Sequence, residues 1–259
     1  MSQRKLTLGV SLKMYFGYRQ TLDWCRQIRA EIGRRPHDAL SALELFVLPS
    51  FPALAPVCEL LADTPIGVGA QDLHWEDAGA FTGEVSGALL REMGCRYVEV
   101  GHAERRRDFG ESDERVALKI AAALRNGLTP VLCVGEARQG RPAQTIELCL
   151  TQLEAALESA LTQRLSGEVI VAYEPQWAIG GGAPAPVEET GAVCRALARR
   201  LQQLLPRHDG RVIYGGSAGP GLLTQAGPAF DGLFLGRFAH DPAAFGAILD
   251  EAAQQQERK

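Results

Sequence analysis

Eight times along this chain a short apolar run gives way to a longer stretch with helical spacing, and no linker or low-complexity block interrupts the series. The runs fall at 6–10, 45–48, 66–70, 97–100, 128–134, 169–172, 211–214 and 231–235. Between them lie stripes such as Leu22, Cys25, Ile28 and Ile32, or Val116, Ile120 and Leu124. Buried parallel strands read as near-continuous apolar runs, whereas the intervening helices need only one apolar face. Regular alternation argues for a parallel sheet with right-handed crossovers. Eight units in 259 residues predict an α/β protein whose single domain, 1–259, is a closed (β/α)8 barrel. A doubly wound open sheet is the alternative.

Chemistry in such a barrel sits in the loops after the strands. Those loops carry Lys13, His102 with Glu104, Glu174, Ser217, and Gly236 with Arg237. Around Glu174 the pattern is specific. A buried strand ends in a lone carboxylate, Pro175 stops further pairing, and Trp177, Ile179, Gly180, Gly181 and Gly182 follow. This suggests a base beneath a moving lid that expels water and raises the base's proton affinity. Each residue also has a bland reading. A strand can run into an ordinary turn, a lysine near a strand end is usually solvated, and a lone histidine more often packs than reacts. Together, the bland readings leave unexplained why a base, an acid, a cation and glycine-rich anion nests share one rim.

The net charge of −4 gives no basic footprint for nucleic acid, and no apolar run is long enough to span a bilayer. Lys13 interrupts the N-terminal apolar stretch too early for a signal peptide. The six cysteines are scattered without a Cys-x-x-Cys pair, so reduced thiols in a cytoplasmic protein are expected, not a zinc site or a disulfide frame.

Over essentially its whole length the chain resembles the triosephosphate isomerase family. The segments that carry the resemblance are Ser11-Leu-Lys-Met, Gly69-Ala-Gln71, Gly79-Ala-Phe-Thr-Gly-Glu84, Glu99-Val-Gly-His-Ala-Glu-Arg-Arg106, Phe109-Gly-Glu111, Cys133-Val-Gly-Glu136, Ala172-Tyr-Glu-Pro-Gln-Trp-Ala-Ile-Gly180, Tyr214-Gly-Gly-Ser217 and Asp231-Gly232. The resemblance implies a TIM barrel that moves a proton between adjacent carbons of a small sugar phosphate, with no metal or organic cofactor. By default the reaction is the aldose–ketose interconversion of D-glyceraldehyde 3-phosphate and dihydroxyacetone phosphate, in glycolysis and gluconeogenesis. It also implies Glu174 as base, His102 as electrophile, Lys13 as the charge that offsets the enediolate and the phosphate, and Glu104 as the partner that holds Lys13. Ser217 and the backbone N–H groups of Gly180, Gly236 and Arg237 are expected to hold the phosphate. A homodimer is implied through the stretch 71–83, which begins at Gln71 and ends at Gly83, with Thr82 beside the other subunit's Lys13; on the bland reading this loop folds back on its own barrel.

The departures bear on substrate. Ser11 and Ala103 stand where the family usually has Asn and Ser, so a roomier or wetter pocket is expected, in which Ser11 can offer a substrate one hydrogen bond. Gln176 occupies a hinge position usually small and apolar, and Gly181-Gly-Ala-Pro184 replaces the usual lid ending. Arg237 follows Gly236 where two glycines are usual; its guanidinium is expected either to pair with a carboxylate behind the phosphate loop or to reinforce anion binding. The Gly-Arg pair, and His74-Trp75 ahead of Gly79, are similar to the tetrulose-phosphate isomerase branch of tetritol breakdown. An L-erythrulose 1-phosphate type of substrate is therefore the second reading. A barrel that binds a sugar phosphate without turning it over is the third.

Overall fold

The computed structural model describes residues 5–181, 183–206 and 210–257. Eight strands, β1 (Leu6–Ser11), β2 (Leu43–Leu48), β3 (Ile66–Ala70), β4 (Tyr97–Val100), β5 (Thr129–Val134), β6 (Ile170–Tyr173), β7 (Arg211–Tyr214) and β8 (Gly232–Leu235), close into a barrel in sequence order. All pairings are parallel, and β8 pairs back onto β1 with Leu8 opposite Leu233 and Val10 opposite Leu235. The expected closed (β/α)8 barrel is the observed fold.

The helices are α1 (Tyr18–Gly33), α2 (His37–Ser41), α3 (Leu54–Leu61), α4 (Gly87–Glu92), α5 (Ala103–Phe109), α6 (Asp113–Arg125), α7 (Pro142–Thr162), α8 (Val187–Leu204), α9 (Leu222–Ala226) and α10 (Pro242–Glu257). Their stripes face the strands. Trp24, Cys25, Ile28 and Ile32 of α1 are buried, as are Val116, Ile120 and Leu124 of α6. Each such Leu, Ile or Val contributes roughly 1.5–3 kcal/mol on burial. Ser112 caps α6 through a 3.3 Å bond from the Arg115 N–H, with Asp113 and Glu114 in the first turn, where carboxylates suit the helix dipole.

Inside the barrel Phe46, Leu48, Tyr97, Val131, Ile170, Ile213 and Phe234 form a separate core. Large side chains need small ones opposite them in so narrow a cylinder. Phe46 and Tyr97 stack at 4.7 Å between ring centroids, and a methyl group added at Gly9 would lie 2.1 Å from the Phe46 ring. Below this layer, the buried Arg211 is ion-paired with Glu44 and Glu168, and Tyr97 donates to Glu44. The lower end is thereby plugged, and the open end lies at the strand C-termini.

Two helices were not expected from the sequence. Both α2 and α5 are short, and α5 (Ala-Glu-Arg-Arg-Arg-Asp-Phe) has no apolar stripe to betray it.

Candidate active site

A cavity of about 500 Å3 opens at the C-terminal ends of the strands. Its lining includes Ser11, Lys13, Glu104, Glu174, Gly180, Ser217, Gly236 and Arg237. His102 stands behind Glu174, 3.5 Å away. All nine positions named from the sequence thus fall around one chamber.

Lys13 leaves the end of β1 in a left-handed conformation, φ 50°, that non-glycine residues seldom adopt. Its carbonyl is held by two donors, Ser50 Oγ at 3.1 Å and Gln71 Nε2 at 3.0 Å. Such anchoring is what a strained residue at a site requires. Lys13 Nζ donates to Glu104 Oε1 at 2.8 Å. Burial disfavours the Lys13 ammonium, but Glu104, Glu174 and Glu99 together outweigh it and leave its pKa above the usual lysine range. Burial likewise opposes the Glu104 carboxylate, and Lys13 outweighs it in turn, holding Glu104 below its usual range.

His102 caps α5. Its Nδ1 accepts the Glu104 N–H at 3.2 Å, which leaves Nε2 as the ring nitrogen that carries a proton. Nε2 lies 3.5 Å from Oε2 of Glu174, which lines the chamber; neither atom has a hydrogen-bond partner of normal geometry among the described residues. A donor and an acceptor, both buried and both unsatisfied, face one spot. Such atoms are costly unless something else binds there. Glycine makes the room: a methyl group at Gly215 would lie 2.7 Å from Glu174 Cγ.

Glu99, three residues before His102, also belongs to the site. It is buried at the end of β4, accepts from Ser11 Oγ at 3.0 Å, and lies 3.8 Å from His102 Nε2. Burial is the main cause that pushes its pKa up to about 7. A glutamate inside the apolar run Tyr97-Val-Glu-Val was the available signal, since a charge is not buried without partners or purpose. Tyr15 and Arg107 also line the chamber and were not expected there.

The segment after Glu174 begins as a 3-10 turn, Gln176–Ala178. Trp177 Nε1 donates to Glu136 Oε1 at 2.7 Å, and the Gln176 N–H to the Glu136 carbonyl at 3.0 Å. Farther on, the Ala185 N–H donates to Tyr214 Oη at 2.9 Å. Gly182, the third expected hinge glycine, lies outside the described residues. Ser217 Oγ donates to the lid, at 2.5 Å from the Ala178 carbonyl and 3.2 Å from that of Gly181. Its proton is committed to the lid, which leaves its backbone N–H as the donor available to an anion. Of the two roles expected for Arg237, the carboxylate partner is not the one seen: among the described residues its guanidinium bonds the Gly180 carbonyl at 3.3 Å and pairs with no acid. Next to Ala103 the space is only about 10 Å3, room for about one water, so the extra volume expected at this position is small. Ser11, in contrast, lines the main chamber.

The family model described as triosephosphate isomerase matches residues 6–252. The chain belongs to the triosephosphate isomerase family. An L-erythrulose-1-phosphate isomerase of Pectobacterium atrosepticum is 64% identical over 97% of both chains. Another protein of that name, from Rhizobium etli, is 41% identical over 93% of this chain and 90% of its own. A triosephosphate isomerase of Synechococcus is 39% identical over 95% of this chain and 97% of its own. As a member of the triosephosphate isomerase family the chain is a TIM-barrel isomerase. Among the described residues no group of three or more His, Cys, Asp or Glu is placed to hold a metal ion, and no helix is long and apolar enough to cross a membrane.

Proposed function

We propose that this isomerase acts on L-erythrulose 1-phosphate. The observation that carries the substrate is the 64% identity to an enzyme of that name against 39% to a triosephosphate isomerase of similar coverage. What supports the chemistry is the pair of unsatisfied atoms, Glu174 Oε2 and His102 Nε2, at the chamber wall.

The substrate itself dictates the reaction. L-erythrulose 1-phosphate has its carbonyl at C2, beside the phosphorylated carbon, and a hydroxyl at C3. Glu174 takes the C3 proton, and a 2,3-enediolate forms. The oxygen at C2 is held by His102 Nε2–H and offset by Lys13. Return of the proton to C2, with transfer of the O3 proton to O2, leaves the carbonyl at C3. Counted from the other end, the product is erythrulose 4-phosphate. One C–H bond breaks, one forms, and no co-reactant enters. On this reading the reaction is not an aldose–ketose exchange: with a fourth carbon beyond C3, one proton shift links two ketoses. In a triose phosphate the same shift yields an aldehyde. The backbone N–H groups of Gly180, Ser217, Gly236 and Arg237 are assigned to the phosphate, because fixed amide donors suit an anion.

Triose phosphate remains a second substrate, supported by the triosephosphate isomerase relative. One added carbon or hydroxyl is worth only about 1–3 kcal/mol of discrimination in a pocket, so both should turn over. Ser11 donates its proton to Glu99 and keeps its oxygen lone pairs for a substrate hydroxyl. Ser11→Asn with Ala103→Ser should therefore shift the ratio of specificity constants toward the triose phosphate by about tenfold. An unchanged ratio would mean that these positions do not read substrate size. A barrel that only binds would turn over neither substrate.

We also propose a homodimer and, because all six cysteines are unpaired, a reducing compartment such as the cytoplasm. The loop 71–83 is partly folded back: Leu73 and His74 are buried, and His74 packs against the rings of Trp75 and Phe81. Its tip, residues 76–83, is exposed and includes Thr82. Phe81, Met14 and Phe109 leave 42%, 92% and 66% of their surface uncovered, an apolar set suited to a second copy. Light scattering should give twice the chain mass, and a variant with Phe81→Glu should be monomeric and nearly inactive. A fully active monomer would refute the assembly.

A further inference from the structure

Arg237 stands at the chamber mouth on the loop after β8, and Gly180 is part of the lid opposite. The Arg237 Nη2 donates to the Gly180 carbonyl at 3.3 Å. Gly180 itself has φ 74°, and a methyl group placed there would meet the same nitrogen at 3.3 Å. The lid therefore rests directly on the guanidinium. A guanidinium carries five N–H donors in a planar fork, and among the described residues only this one bond occupies it. Among the described residues no carboxylate forms an ion pair with it, although it lines the same cavity as Lys13, Glu104, Glu174 and Ser217.

We propose that Arg237 is a dianion-operated latch: its free N–H donors grip the phosphate of the substrate while Nη2 holds the lid carbonyl, so that phosphate binding and lid closure are one event. This rests on the phosphorylated substrate proposed above, and goes beyond it by assigning the side chain, not only the backbone, to the phosphate. Geometry favours the double role. Guanidinium matches phosphate oxygens in a bidentate manner, and a bound phosphate would fix the orientation that Nη2 needs toward Gly180. Ser217 acts beside it on the neighbouring carbonyls, Ala178 and Gly181, but its hydroxyl proton is used there and it carries no charge to pair with a phosphate.

The test uses the whole chain labelled with 5-fluorotryptophan, titrated with inorganic phosphate, and followed by fluorine NMR. Trp177 reports on the lid and is assigned with Trp177→Phe. In the parent, phosphate should shift the Trp177 signal. In Arg237→Gly the phosphate dissociation constant should rise about ten- to a hundredfold, the range for a lost charge-assisted pair, and the Trp177 shift should be reduced even at saturation. Arg237→Lys should recover part of the affinity but not the Trp177 shift, because an ammonium lacks the fork that spans both partners. Specificity constants for L-erythrulose 1-phosphate and glyceraldehyde 3-phosphate should fall in the same proportion, since the phosphate is common to both. Parent-like phosphate affinity in Arg237→Gly, or a full Trp177 shift at saturation, would overturn the latch. A parent that binds phosphate but turns over neither sugar would overturn the proposed reaction and leave the latch standing.

Discussion

Glu174→Gln is expected to lower turnover by about 10²–10⁴-fold, the span assigned to a positioned general base, with phosphate affinity close to the parent's. The amide fills the same space between Gly215 and His102 but cannot take a proton from carbon at neutral pH. Folding should not suffer, because a buried neutral amide is less costly than a buried carboxylate. The comparison separates chemistry from binding: kcat falls while the inorganic phosphate dissociation constant stays. Near-parent turnover in this variant would remove Glu174 from the role of base.

His102→Asn should cost about 10²–10³-fold in turnover, the range for one lost donor to a developing oxyanion, with little change in thermal stability. Two functions meet in this ring. Nδ1 caps α5 by accepting the Glu104 N–H, and Nε2 lies 3.5 Å from Glu174 Oε2. Asparagine is among the best N-cap residues, so its side-chain oxygen can inherit the first function. It is too short to inherit the second. His102→Ala would lose both, with about 1 kcal/mol of stability added to the catalytic loss. If His102→Asn retained activity, the imidazole would be a cap and nothing more.

The barrel was legible in the sequence because its parallel strands are covered on both faces, so each reads as an apolar run ended by a turn. The start of α6 is a local signal too, the cap Ser112 followed by two acids. The element α5 escaped because its cap is an imidazole and its seven residues hold a single large apolar side chain, Phe109, which is 66% exposed. Among the site residues, Lys13, His102, Glu104 and Glu174 were legible as types at strand ends. What could not be read was the direction of side chains across loops far apart in sequence. Ser217 and Arg237 reach lid carbonyls 39 and 57 residues away. Glu99 was visible as a charge in a buried strand, but its partner Ser11 lies 88 residues distant, and only closure of the barrel brings the two together.

That partnership bears on the substrate. With Ser11 tied to Glu99, the space a longer amide would fill is left to whatever occupies the chamber, and a hydroxymethyl group on the reacting carbon is a suitable occupant. The central claim is that one proton shift carries the carbonyl of a four-carbon ketose phosphate from C2 to C3. Carbon-13 NMR of L-erythrulose 1-phosphate incubated with the purified protein tests it most directly. The account predicts a second ketose phosphate, its carbonyl one carbon farther from the phosphate, formed with a higher specificity constant than glyceraldehyde 3-phosphate shows. An unchanged L-erythrulose 1-phosphate spectrum, alongside rapid turnover of glyceraldehyde 3-phosphate, would contradict it.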